Sequence, residues 1–116
     1  MNLLIYEYFA SGAMKGHYDL EQAGFTMLDA VLKDFTQLPE LVIYTILDSS
    51  LEKEIFLTSY VDKVKIDWYK GEINIFEQFE KILMNCDAVL IIAPEISGLI
   101  GKMTAIAEKN NKLVLG

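Results

Sequence analysis

Short apolar runs of strand length alternate along this chain with segments whose apolar residues recur at helical spacing. That alternation constrains the fold more than any single residue does. Residues 3–6 (LLIY) are consistent with a fully buried strand. Phe25, Leu28, Val31, Leu32, Phe35 and Leu38 then recur at three- and four-residue steps, which marks one helix face. Pro39 stops that helix, because proline cannot continue the hydrogen-bond ladder. Residues 41–46 (LVIYTI) are β-branched and aromatic and read as a second strand. Asp48-Ser49-Ser50 reads as a loop or helix N-cap ahead of a weaker helical stretch at 51–60. Val64, Ile66 and Trp68 alternate with Lys65 and Asp67, as in a strand near a sheet edge with one face partly wet.

A turn at Lys70-Gly71 leads into a second helical stripe of Ile75, Phe76, Phe79, Ile82, Leu83 and Cys86. Residues 88–93 (AVLIIA) form the most apolar strand and are expected to be central. Pro94-Glu95 breaks it, and Ser97-Gly98 opens a last helix that carries Leu99, Met103, Ile106 and Ala107. Asn110-Asn111 ends that helix, Asn being tolerated in a left-handed cap, and residues 112–116 form a closing strand.

Strand–helix alternation implies parallel pairing through right-handed crossovers. The expected fold is therefore α/β, a three-layer Rossmann-like sandwich on a mostly parallel sheet of about five strands. At 116 residues the chain reads as a single domain, with no internal repeat, low-complexity segment or linker. Its stop on a strand suggests one module of something larger, or a module that docks on a partner.

A hydrophobic fraction of 53% excludes disorder. No apolar run approaches the roughly 20 residues that span a bilayer, and no basic region precedes the first apolar run. The expected location is the cytoplasm. The net charge of −7 works against a nucleic-acid partner. All 10 basic residues are lysines, so a planar bidentate clamp is missing, and any anion site must use backbone N–H groups, hydroxyls or Lys. The one cysteine, Cys86, allows no internal disulfide and reads as a small buried thiol. His17 stands alone in a polar loop and is a poor metal ligand by itself.

In open parallel sheets the ligand crevice lies beyond the carboxyl ends of the strands, where strand order reverses. Three features fall at such ends. The first is "EYFASGA", with Glu7, Ser11, Gly12 and Ala13. A carboxylate directly after a buried strand is costly unless solvated, paired or hydrogen-bonded, and small residues let a ligand or another backbone come close. The second is Asp48-Ser49-Ser50. The third is the loop with Glu95, Ser97 and Gly98, where helix-entry N–H groups gather, although Ser97 equally reads as a plain cap. Neither a G-x-G-x-x-G dinucleotide fingerprint nor the G-K-[ST] of a phosphate-binding loop is present.

"LLIYEYFASGA", "GFTMLDAVLKDFTQLPELVIYTILD", "CDAVLIIAPEISGLI" and "KLVLG" together resemble the N-terminal domain of archaeal ATP-grasp ligases. Within that superfamily the chain resembles the tyramine–glutamate ligase type of methanofuran biosynthesis. The most specific elements are E-Y-x-x-S-G, a G-F-x-M-L helix entry at Gly24, and "IAPEISGL" from Ile92. The resemblance implies a Rossmann-like pre-ATP-grasp domain that packs on ATP-grasp lobes, in cis or in trans, and supplies part of the substrate side of their cleft. It implies a ligase that activates a carboxylate as an acyl phosphate for attack by an amine. ATP and magnesium would belong to the lobes, which are absent from these residues, and the chain alone would be inactive.

The resemblance carries over motif positions only; by its own chemistry Glu7 would hold the ammonium of an amine or amino-acid substrate, and Ser11, Gly12 and Ala13 would add hydroxyl and backbone contacts. Glu95, Ser97 and Gly98 would line the opposite wall. Two alternatives stay open. One is a stand-alone small-molecule-binding or protein-interaction module, dimeric through exposed apolar surface. The other is a receiver-like or nucleotide-binding domain, against which strand one ends in a single Glu7 without an acidic pair.

Overall fold

A computed structural model describes residues 1–14 and 16–115. Gly116, the last residue of the expected closing strand, lies outside the described residues. The strands are β1 (Asn2–Glu7), β2 (Val42–Asp48), β3 (Val64–Tyr69), β4 (Ala88–Ile92) and β5 (Leu113–Leu115). The helices are α1 (Tyr18–Phe35), α2 (Glu52–Phe56), α3 (Ile75–Leu83) and α4 (Leu99–Lys109). The strands form one sheet in the order β3-β2-β1-β4-β5, every pair parallel. The fold is therefore α/β and Rossmann-like, its sheet parallel throughout.

Two apolar cores lie on the two faces of the sheet. Leu3 and Ile5 of β1 pack with Leu28 and Leu32 of α1 and Ile55 of α2. Leu4 and Tyr6 pack with Phe79 and Leu83 of α3 and Met103 of α4. Successive side chains of a strand point to opposite faces, so a strand covered on both sides must be apolar at every position. That is why β1 reads as a run, with Leu3 to Tyr6 at most 1% exposed.

Three expectations need correction. The central strand is β1, not β4. β4 is an inner strand, but β5 pairs only with its first three residues, Ala88 to Leu90. Ile91 and Ile92 therefore stay half-buried. Next, α1 begins at Tyr18, well ahead of Phe25. Its first turns expose Tyr18 and Leu20 and bury Glu21, so no apolar stripe announces them. Gly24 consequently lies inside α1 rather than at its entry. Finally, the stretch at 51–60 is helical only over the five residues of α2, between 3-10 turns at Ser49–Leu51 and Val61–Lys63.

β3 is an edge strand, as its alternation suggested. Among the described residues no helix is long and apolar enough to cross a membrane.

Candidate functional site

From β1 the chain moves one way to β2 and β3, then crosses back to place β4 on the other side of β1. Strand order thus reverses between β1 and β4, and the crevice beyond their carboxyl ends is the expected ligand position of such a sheet. Glu7 is paired in register with Ile92 at that point, and the Tyr8 N–H donates to the Ile92 carbonyl at 2.9 Å.

Past Glu7 the chain turns sharply under itself. The Ser11 N–H donates to the Glu7 carbonyl at 3.1 Å, and the Gly12 N–H to the Phe9 carbonyl at 3.1 Å. The Asp48 N–H donates to the Ala10 carbonyl at 2.8 Å, which fastens the loop to the end of β2. Gly12 has a φ of +83°, and a Cβ there would stand 2.9 Å from Oδ1 of Asp48. The loop therefore needs glycine both for its backbone conformation and for its approach to Asp48. Asp48 caps the Ser49–Leu51 turn, as read from sequence, and the Ser50 hydroxyl bridges it (2.5 Å) to Glu21 (2.9 Å).

Glu7 is 3% exposed, and its Oε1 accepts the Ala10 N–H at 2.6 Å. Burial pushes its carboxyl above the usual range, and the Ala10 and Phe9 N–H groups oppose that rise only in part. A Cβ on Gly24 would lie 2.0 Å from Oε1, so the carboxylate occupies the space a side chain at 24 would take. Among the described residues the one ion pair is Lys109–Glu80, far from Glu7 along the chain.

Glu7 and Phe9 face a cavity of about 340 Å³ bounded by Leu20, Gly24 and Met27 of α1 and by Ile92 and Pro94. Tyr8 faces the other side, where a cavity of about 300 Å³ is lined by Met14, Phe76, Ile96, Ser97, Leu99 and Lys102. The Tyr8 and Phe9 rings meet edge to face at 5.5 Å. They stand between two hollows at the carboxyl edge of the sheet, each large enough for a small molecule.

The sequence-derived residues distribute unevenly over these hollows. Glu7 opens on the first and Ser97 on the second. Ser11 is fully buried, its hydroxyl donating to the Tyr8 carbonyl at 2.6 Å and sharing a 2.9 Å hydrogen bond with the Tyr6 hydroxyl. Gly12 is buried against Asp48, and Ala13 is half-buried beside it. Glu95 and Gly98 are exposed on the β4–α4 loop. Ser97 and Gly98 both take left-handed backbone (φ 49° and 70°), and Gly98, not Ser97, is the N-cap of α4, without a side-chain cap. Gly24, Phe9, Tyr8, Phe76 and Lys102 complete the walls and are not among the site residues expected from sequence. The signal for Gly24 was present, since a glycine inside a helical pattern costs about 1 kcal/mol against alanine and asks for a reason.

Cys86 is buried behind α3, its thiol pushed up to about 11 by burial, and takes no part in either hollow. Among the described residues no group of three or more His, Cys, Asp or Glu side chains could hold a metal ion.

The family model described as the pre ATP-grasp 3 domain matches residues 41–116, which is more than half of the chain. That span runs from β2 through β5 and includes the β4–α4 loop, while β1 and Glu7 precede it. No curated protein and no solved structure matches the chain.

Proposed function

The chain belongs to the pre ATP-grasp 3 domain family, and from that premise we propose that it forms the amine-substrate side of an ATP-grasp carboxylate–amine ligase. Membership makes it part of an ATP-grasp ligase and associates it with ATP-grasp lobes. The step from membership to an amine rests on one observation. Glu7 is a buried carboxylate at the switch point, with no described lysine paired to it, at the wall of an otherwise apolar cavity.

An ammonium ion is the ligand group that best resolves such a site. It gives the carboxylate a charge-assisted hydrogen bond and returns it to the ionised form that burial disfavours. Phe9, Leu20, Met27 and Pro94 then offer the rest of the ligand an apolar surface. A short arylalkylamine satisfies both demands, and this supports tyramine as the amine, while glutamate as the acid and a place in methanofuran biosynthesis rest on the sequence resemblance alone.

Among the described residues no group of three or more His, Cys, Asp or Glu could hold a metal ion, and the sequence carries no G-K-[ST] phosphate-binding loop. ATP and magnesium are assigned to the ATP-grasp lobes, where they supply the phosphoryl group that activates the acid. The catalytic steps are assigned there as well.

The test is Glu7→Gln in the ligase that carries this domain. Loss of a charged hydrogen bond should raise the KM for the amine about ten-fold or more. The KM for ATP should stay within about two-fold, because uniform binding of one substrate is being removed. An unchanged KM for the amine would take Glu7 out of the substrate site.

A further inference from the structure

Among the described residues, the two hollows beside Tyr8 and Phe9 are bordered by opposite charges, each without an opposite charge in its own lining. Among the described residues, lysines border other cavities together with an acidic residue. Lys63 and Lys65, at the amino end of the sheet, share a cavity with Asp62. Lys70 and Lys81 share a polar hollow with Asp67 and Glu72. Lys65 borders a further hollow together with Asp67. The cavity under Tyr8 differs, because Lys102 lines it with no described carboxylate beside it. Across the β4–α4 loop, the Glu7 cavity has the converse composition, with an acid and no described lysine.

The remaining walls define what could neutralise Lys102. Tyr8 and Phe76 present rings, and Ile96, Leu99 and Met14 present aliphatic surface. The Lys102 ammonium stands 6.0 Å from the centroid of the Phe76 ring, on its face. A contact of that kind at an exposed site is too weak to substitute for a counter-ion but favours the ammonium over the ring. A ligand lying on Phe76 would therefore meet the ammonium at its edge. With no Arg in the chain, a lysine is the strongest cation available for that role.

We propose that the cavity lined by Tyr8, Phe76 and Lys102 is a second small-molecule site, specific for a carboxylate carried on a flat apolar body. Lys102 pairs with the carboxylate, and the two rings take the body between them. The site stands on its own residues. Its ligand is not the glutamate of the function proposed above, which carries no flat apolar body, so the site is independent of that reading.

The experiment is a titration of the isotope-labelled chain followed by backbone and side-chain NMR. The probes are 3-phenylpropionate, its neutral amide 3-phenylpropanamide, and tyramine. The carboxylate should shift the signals of Tyr8, Phe76 and Lys102 and saturate at millimolar concentration. The amide should bind about five-fold or more weakly, since it lacks the charge. Lys102→Gln, at an exposed position, should abolish the difference between carboxylate and amide while leaving any tyramine shifts at Glu7 and Phe9 unaltered. Equal affinity for carboxylate and amide, a carboxylate response unchanged in Lys102→Gln, or shifts centred elsewhere would each overturn the site. So would the lack of any response up to about 20 mM, a free energy too small for a specific pocket. Tyramine failing to bind near Glu7 would count against the amine reading alone, because the carboxylate arm does not depend on it.

Discussion

At Gly24 the first helix gives up a side chain, and the Glu7 carboxylate lies where that side chain would be. The two residues are distant in sequence, and neither explains itself alone. Glu7 needs an opening in the helix wall to reach the cavity from the end of β1, and Gly24 would otherwise be a cost of about 1 kcal/mol to α1. The pair makes a sharp prediction. Gly24→Ala places a Cβ 2.0 Å from the wild-type position of Oε1, so Glu7 must move. The expected loss of stability is about 1–3 kcal/mol, in line with other overpacked sites. In a Glu7→Ala background the same change should cost much less, because helix propensity favours alanine and only the Phe9 Cβ, at 3.1 Å, still crowds the new methyl group. Urea denaturation of the four proteins of this cycle reads the coupling. An equal cost of Gly24→Ala in both backgrounds would mean that the carboxylate does not fill the space above Gly24. Glu7 was legible in the sequence because a carboxylate closing an apolar run is conspicuous. Ser11 showed as a polar residue in the same motif, but only the fold reveals that its hydroxyl turns inward to Tyr6 and the Tyr8 carbonyl. Gly24 became meaningful only once a strand end and a helix face were brought together.

Among the elements, those with period were legible and those without were not. β1, β2, α3, β4 and α4 carry unbroken apolar runs or stripes, and each sits close to where its pattern fell. The first turns of α1 carry no stripe because they bury Glu21 against the Ser50 hydroxyl, a polar contact that periodicity cannot register. β4 was overestimated because hydrophobicity reports burial of faces, whereas position in the sheet depends on which neighbours pair and for how long. The end of α4 was read more closely. Asn110 closes the helix, its side-chain amide donating to the Ile106 carbonyl and to Glu80 at 2.8 Å each, and Asn111 turns into β5 with a φ of 58°. A β-branched residue in that left-handed conformation is strained by about 1–2 kcal/mol, while glycine and asparagine are not. Asn111→Val should therefore lower the thermal midpoint by several degrees, on the order of 4–8 °C per kcal/mol for a domain near this size. Asn111→Gly should leave it nearly unchanged. A valine variant as stable as the glycine variant would show that the α4–β5 connection does not require the left-handed residue.

For the molecule as a whole, charge is the term the fold leaves least balanced. The net charge is −7, from 17 acidic and 10 basic residues. Among the described residues Glu7 is a carboxylate only 3% exposed, at the wall of a cavity that no described lysine borders. The Lys109–Glu80 pair is 3.1 Å long, with side chains 68% and 34% exposed, and a pair so wet contributes little. Repulsion should therefore outweigh attraction when salt is low. The Debye length is about 30 Å at 0.01 M and about 8 Å at 0.15 M ionic strength. With a radius of gyration of 13.1 Å, the molecule feels its whole charge at the first concentration and only near neighbours at the second. Raising NaCl across that range at neutral pH should raise the thermal midpoint by a few degrees, about 1 kcal/mol or less of relieved repulsion. Chloride is the right salt, since sulfate would strengthen apolar burial whatever the charge. The same titration near the isoelectric point, pI ≈ 4.6, supplies the control. There the net charge vanishes, and the salt response should shrink with it. A midpoint that falls with NaCl at neutral pH would mean that attractive pairs dominate. A rise of equal size at both pH values would mean that screening of net charge is not its cause.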